Sequence, residues 1–157
     1  MQLAQLNIGR LVADTDDPVV QPFMRALDRI NAVAEAHEGF VCRLQDDAGN
    51  ATSFKLDQDP RRIPNLSVWT DLGPLQDFMY RTEHVDFLRR RREWFEPLGR
   101  EHLVLWWVED GHRPSLDEAL DRLAHLEEHG PGPGAFTFRR SFDADGEPIE
   151  RAAADRS

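Results

Sequence analysis

The chain has a single cysteine, Cys42, among its 157 residues. One thiol closes no intrachain disulfide and builds no cysteine-rich zinc site. Cys42 sits in a strand-like segment, where its ordinary role is that of a small buried hydrophobe. Lysine is as scarce: Lys55 is the only one, so nearly all positive charge is arginine. Basic residues are also outnumbered, 19 Lys and Arg against 29 Asp and Glu, for a formal net charge of −10. That balance excludes general nucleic-acid binding, which needs a basic surface to displace counterions. No apolar run approaches the roughly 20 residues of a membrane span, and Met1 leads straight into a strand-like segment rather than a charged and apolar leader. The expectation is a cytoplasmic protein with no membrane partner. Gly-rich phosphate loops, nucleophile elbows and zinc-protease motifs are missing too. His125 and His129 have the i, i+4 spacing of a metal pair, but they fall opposite the leucine stripe of their helix and have no third ligand at a fixed offset. No metal site is expected.

What the chain does have is enough apolar material for one domain: 40% hydrophobic residues beside 31% charged. Gln2 to Leu11 reads as a strand. Asp17-Pro18 offers an N-cap with proline in the first turn, and Val20, Phe23, Met24, Leu27, Ile30 and Ala34 recur at helical spacing up to a stop at Gly39. Phe40 to Gln45 is a second strand. Asp46 to Ile63 is polar and turn-rich, a long loop or an extended hairpin arm. Asn65 to Thr70 is a third strand, followed from Pro74 by helix with a break near Thr82. His102 to Glu109 is a fourth strand. Ser115 and Glu118 form a capping box that starts a helix with Leu116, Ala119, Leu120 and Leu123 on its inner face. Gly130-Pro131-Gly132-Pro133-Gly134 ends it, and Ala135 to Phe142 reads as a last strand. Residues 143–157 are small, polar and acidic, and are expected to be a disordered tail to a single domain spanning 1–142.

The order β-α-β-β-α-β, then α-β, is that of a ferredoxin-like α+β sandwich with an addition. Helices cover one face of such a sheet, and an open face should alternate apolar with polar. The fourth strand does not alternate: Val104, Trp106 and Val108 point one way, Leu103, Leu105 and Trp107 the other. A second sheet from another subunit would bury the extra face.

The region after Pro74 also carries the chemistry. On a single helical wheel, Tyr80, His84, Phe87, Leu88, Arg91, Trp94 and Phe95 share one side. An imidazole and a guanidinium thus stand within an apolar stripe, where a polar group must find a partner or line a wet pocket. His84 is the candidate acid or base, and Arg91 the candidate anchor for an anion or carbonyl. The bland alternative is a histidine and an arginine that only satisfy the core. Gln5 and Asn7 share a side of the first strand, as do Asn65, Ser67 and Trp69 on the third, and such half-polar faces suit a cavity. Trp69, Phe78, Tyr80, Phe87 and Trp106 are the candidate aromatic walls, which could hold a flat polycyclic ligand.

Several segments resemble the DUF3291 family of bacterial proteins. They include Leu3-Ala4-Gln5-Leu6-Asn7, Asn65-Leu66-Ser67-Val68-Trp69, His84 to Phe95, Leu105-Trp106-Trp107-Val108 and Gly111-His112-Arg113-Pro114. The resemblance covers about residues 2 to 142. It implies the dimeric α/β-barrel superfamily, hence a homodimer. That superfamily includes antibiotic-biosynthesis-type monooxygenases, haem-degrading monooxygenases, aldoxime dehydratases and small-molecule isomerases. Its haem-degrading members use an Asn on the first strand, a Trp on the third and a His on the next helix. Asn7, Trp69 and His84 supply those types, although the His in those haem-degrading enzymes lies further along the helix, nearer Arg90 or Arg91 here.

The expected function is a small-molecule enzyme with an aromatic pocket, with Asn7, His84 and Arg91 as its catalytic candidates. It would be a cofactor-independent monooxygenase, or a cyclase, isomerase or dehydratase, with secondary metabolism as its expected setting. The alternatives are a non-catalytic ligand-binding or accessory protein, and a haem-binding or haem-degrading protein.

Overall fold

A computed structural model describes residues 1–44, 59, 61–82, 84–97 and 102–150, with only the backbone of Phe87 and Leu88. Four strands form one antiparallel sheet: β1 (Gln2–Arg10), β2 (Phe40–Arg43), β3 (Arg62–Trp69) and β4 (Leu103–Val108). Their order across the sheet is β2-β3-β1-β4. Helix α1 (Gln21–Ala36) joins β1 to β2, and α2 (Leu72–Arg81), α3 (His84–Arg89) and α4 (Arg91–Trp94) lie between β3 and β4. This is the ferredoxin-like α+β arrangement that the element order predicts. Helix α5 (Leu116–His129) follows β4.

The central position of β1, paired with β3 on one side and β4 on the other, explains its composition. Leu3, Ala4, Leu6 and Ile8 are all at most 1% exposed, so both of its faces are covered. One face carries Leu3, Trp69 and Leu105 against Ile30 and Ala34 of α1 and Leu72, Leu75 and Phe78 of α2. The other carries Ala4, Leu6, Leu66, Val68, Val104 and Trp106 against Ala119, Leu123 and Leu126 of α5. The second sheet expected from another subunit is therefore not needed to bury this face: within one chain Val104 and Trp106 are 0% exposed. Helix α5 is fixed at its start by the Ser115 hydroxyl, which accepts from the Glu118 N–H at 3.1 Å. The Glu118 carboxylate accepts from Trp106 Nε1 at 3.1 Å and meets His112 Nε2 at 2.7 Å, so the cap, the helix and β4 are one hydrogen-bonded unit.

Four boundaries differ from the sequence reading. Helix α1 begins at Gln21 with Pro22 in its first turn, while the Asp17 side chain accepts from Val19 N–H in a preceding turn. Both prolines satisfy the same rule, and the later one is used. The helical segment begins at Leu72 rather than Pro74, and besides the expected break at Thr82 it has a second one at Arg90. Ala135 to Phe142 makes no ladder; Phe136 exchanges a single pair of backbone hydrogen bonds with Leu105. Residues 143–150, expected to be without fixed structure, fold back: Asp143 N–H donates to Glu147 O at 2.8 Å and Ile149 N–H to Ser141 O at 2.9 Å. Residues 151–157 and most of the loop expected over 46–63 lie outside the described residues.

Candidate functional site

The β1–β3 register places Gln5 opposite Ser67 and Asn7 opposite Asn65. Directly opposed residues share a face, so these four make a polar block on the α1–α2 side of an otherwise apolar sheet. Gln5 Nε2 donates to Ser67 Oγ at 2.7 Å and to Asn65 Oδ1 at 2.8 Å. Trp69 Nε1 also donates to Ser67 Oγ, at 2.9 Å. Asn7 stands outside this network. Its Oδ1 is buried and has no hydrogen-bond partner among the described residues. An orphaned buried amide oxygen costs about 1–3 kcal/mol, so its retention calls for an explanation.

Above the block, Thr82 decides where the next polar groups fall. Its hydroxyl donates to Phe78 O at the end of α2 and accepts from the His84 N–H at 3.2 Å. One side chain thus closes one helix and opens the next. The His84 ring packs against Phe78 with centroids 4.8 Å apart. Its Nδ1 faces Met79 O at 3.3 Å. A carbonyl can only accept, so Nδ1 carries the proton and Nε2 is the basic nitrogen. Burial pushes the His84 pKa below its ordinary value, with the Met79 carbonyl opposing that shift. The imidazole is therefore neutral at pH 7.

Arg91 opens α4 and is half-buried. Burial pulls its pKa down, and no carboxylate among the described residues opposes that shift. The neighbouring wall is held by backbone pairing with the end of β1: Val12 N–H donates to Trp94 O, and Glu96 N–H to Arg10 O, each at 2.8 Å. Gly9 permits this closure, because a Cβ there would lie 2.5 Å from the Phe95 ring. Phe23 of α1 completes the wall, with its ring centroid 5.7 Å from Trp94 and 5.0 Å from Phe95.

These elements enclose a two-lobed cavity between the sheet and the helices. The larger lobe, about 130 Å³, is lined by Asn7, His84 and Arg91 together with Phe23, Leu27, Ile63, Trp94 and Phe95. The smaller, about 50 Å³, has Gln5, Ser67, Trp69 and Phe78 on its walls. Asn7, Asn31, Arg43, Asn65 and His84 border both. Pockets that bury a drug-sized ligand run to roughly 300–1,000 Å³. The cavity volume therefore favours a small ligand over the flat polycyclic one expected from the aromatic content.

The three catalytic candidates of the sequence, Asn7, His84 and Arg91, thus meet at one cavity, with Trp69 and Phe78 in its smaller lobe. Tyr80 is elsewhere: it is 52% exposed, and its ring packs edge-on against Phe138. The break at Thr82 resets the helical phase, so a wheel drawn through it misplaces Tyr80. Trp106 is also elsewhere, buried on the α5 side of the sheet. Trp107 packs on the α1–α2 side and donates to Phe142 O at 2.8 Å, away from the cavity walls. The Phe87 side chain lies outside the described residues. Sequence reasoning missed Asn31 and Arg43. Asn31 had a signal, being a polar residue beside Leu27, Ile30 and Ala34 on the inner stripe of α1; Arg43 had none. Cys42 has its thiol pKa raised by burial, which suits the packing role expected for it. His125 and His129 pack at a tilt on the exposed side of α5, with centroids 4.6 Å apart. Among the described residues, no helix is long and apolar enough to cross a membrane.

A family model for a domain of unknown function, DUF3291, matches residues 2–152. No curated protein matches the chain. Among solved structures, a protein of unknown function from Nitrosomonas europaea is 11% identical, with a TM-score of 0.50 over 73% of this chain and 95% of its own. A mutant of SnoaB, a cofactor-independent oxygenase from Streptomyces nogalater, is 13% identical, with a TM-score of 0.50 over 73% of this chain and 96% of its own. Identities this low speak for the fold alone.

Proposed function

The chain belongs to the DUF3291 family, and from the cavity its fold builds we propose that it is a small-molecule enzyme. The reaction we favour is oxygenation without a cofactor, started by proton abstraction. The observation that carries this reading is the meeting of a neutral buried imidazole, a guanidinium with no described carboxylate beside it and an orphaned carboxamide at one cavity. A titratable base beside a fixed positive charge is what proton abstraction requires, and a purely apolar cavity would have favoured simple binding. The oxygenase SnoaB on a similar fold supports the reaction type by analogy.

In this reading His84 Nε2 takes a proton from a carbon acidified by a neighbouring carbonyl or phenol. Arg91 stabilises the resulting anion, and the apolar wall excludes water. The substrate carbanion is itself the reductant. It bonds to one oxygen atom of O2, and the peroxide then loses water. A CH2 group and one O2 become a C=O group and one water, so no electron is left over. Asn7 orients the substrate. A haem does not fit these residues: the larger lobe is about 130 Å³, and the cavity histidine packs its ring on Phe78.

The test is oxygen uptake by the purified protein without added cofactor, over a panel of one-ring phenols and β-dicarbonyl compounds. A protein-dependent rate is expected. His84→Gln should lower it by about 10²–10⁴-fold with the thermal midpoint retained. Uptake no faster than without protein, or a His84→Gln variant as fast as the parent, would contradict the assignment.

A further inference from the structure

We propose that the cavity selects its ligand as an anion: a small organic acid, carboxylate or phenolate, held by Arg91. This rests on the small-molecule reading above and adds the ligand's charge. The described walls of both lobes contain Arg43, Arg91 and His84 and not one Asp or Glu, in a chain with 29 acidic residues. Arg43 is already paired, with its Nε 2.8 Å from Glu35 Oε1. Arg91 has no ion pair or hydrogen bond through its side chain among the described residues, yet it is half-buried. A guanidinium taken out of water without a counter-charge is costly, and a charged ligand oxygen supplies what the protein withholds.

The other polar groups define the rest of the ligand. Ser67 Oγ accepts from both Gln5 and Trp69, so its own hydrogen is left to donate into the smaller lobe. Asn7 Oδ1 is an acceptor without a donor, and rotation of its terminal torsion can turn either end of the amide to the cavity. The fitting molecule therefore has an anionic oxygen for Arg91, a ring-sized apolar body for the wall of Phe23, Trp94 and Phe95, and a hydrogen-bonding group for Asn7. A volume of about 130 Å³ limits the body to about one ring.

Binding is read by intrinsic fluorescence, since Trp69 and Trp94 stand at the two lobes. The probes are 4-hydroxybenzoate, its neutral amide and 4-hydroxybenzylamine. The acid should bind at least about tenfold more tightly than the amide, with the amine weakest. Arg91→Gln should abolish that preference by weakening the acid and not the amide, and Arg91→Lys should restore part of it. Arg91→Met should keep or raise the thermal midpoint, because it removes an uncompensated buried charge; a clear fall would mean that Arg91 is structural. Equal affinity for acid and amide, or a preference that survives Arg91→Gln, overturns the proposal while leaving the small-molecule site in place. No saturable binding of any probe overturns both.

Discussion

At the scale of single residues, the account turns on His84, whose environment favours the neutral ring. Its pKa in the folded protein lies below the ordinary 6.5, chiefly through burial. Below that pH the unfolded chain takes up a proton that the folded protein refuses. The His84 contribution to stability is therefore intact at neutral pH, is lost as pH falls from 6.5 towards the folded pKa, and levels off below it. His84→Gln should flatten the stability profile between about pH 7 and pH 5, measured by urea denaturation at each pH. A variant with the parent's slope would show that the ring is not held neutral by burial. The polarity of this site was legible in the sequence because Gln5, Asn7, Asn65 and Ser67 interrupt apolar strands, and His84 and Arg91 interrupt apolar helices. The position of Tyr80 was not. Helical phase survives only while the helix does, and the Thr82 hydroxyl ends one helix and starts another.

At the scale of elements, α5 replaces what another subunit was expected to provide. Leu126 is 2% exposed and packs in the cluster with Leu6, Val104 and Trp106. Leu126→Ala should cost about 2–5 kcal/mol, from lost transfer energy and the cavity left behind. The exposed control His125→Ala should stay within about 0.5 kcal/mol of the parent. Urea denaturation separates the two. A Leu126→Ala loss under about 1 kcal/mol would mean that α5 is not docked as described. The capping box at Ser115 and the leucine stripe announced this helix in the sequence. The face it would cover was not announced, because a stripe says that a helix buries one side and not against which sheet surface. The last strand was misread for a related reason: apolar Ala135, Phe136 and Phe138 suit a ladder, yet glycine and proline before them and a turn after them leave one bonded pair to β4.

At the scale of the whole molecule, the described residues of one chain cover both faces of its sheet. Homodimerisation stays a proposal that rests on the resemblance, and it would join subunits already folded. The dissociated subunit should then keep its folded circular dichroism spectrum on dilution across a hundredfold range, whereas an obligate dimer would unfold as it dissociates. The claim that matters most is that His84 faces a ligand cavity built by the sheet and by helices α1 to α4. Histidine-selective NMR tests it most directly, with the His84 ring signal assigned from His84→Gln and 4-hydroxybenzoate added stepwise. The account predicts a saturable shift of His84, with His125 and His129 on the exposed face of α5 unmoved. A silent His84, or all three signals moving together in proportion to added acid, would contradict it.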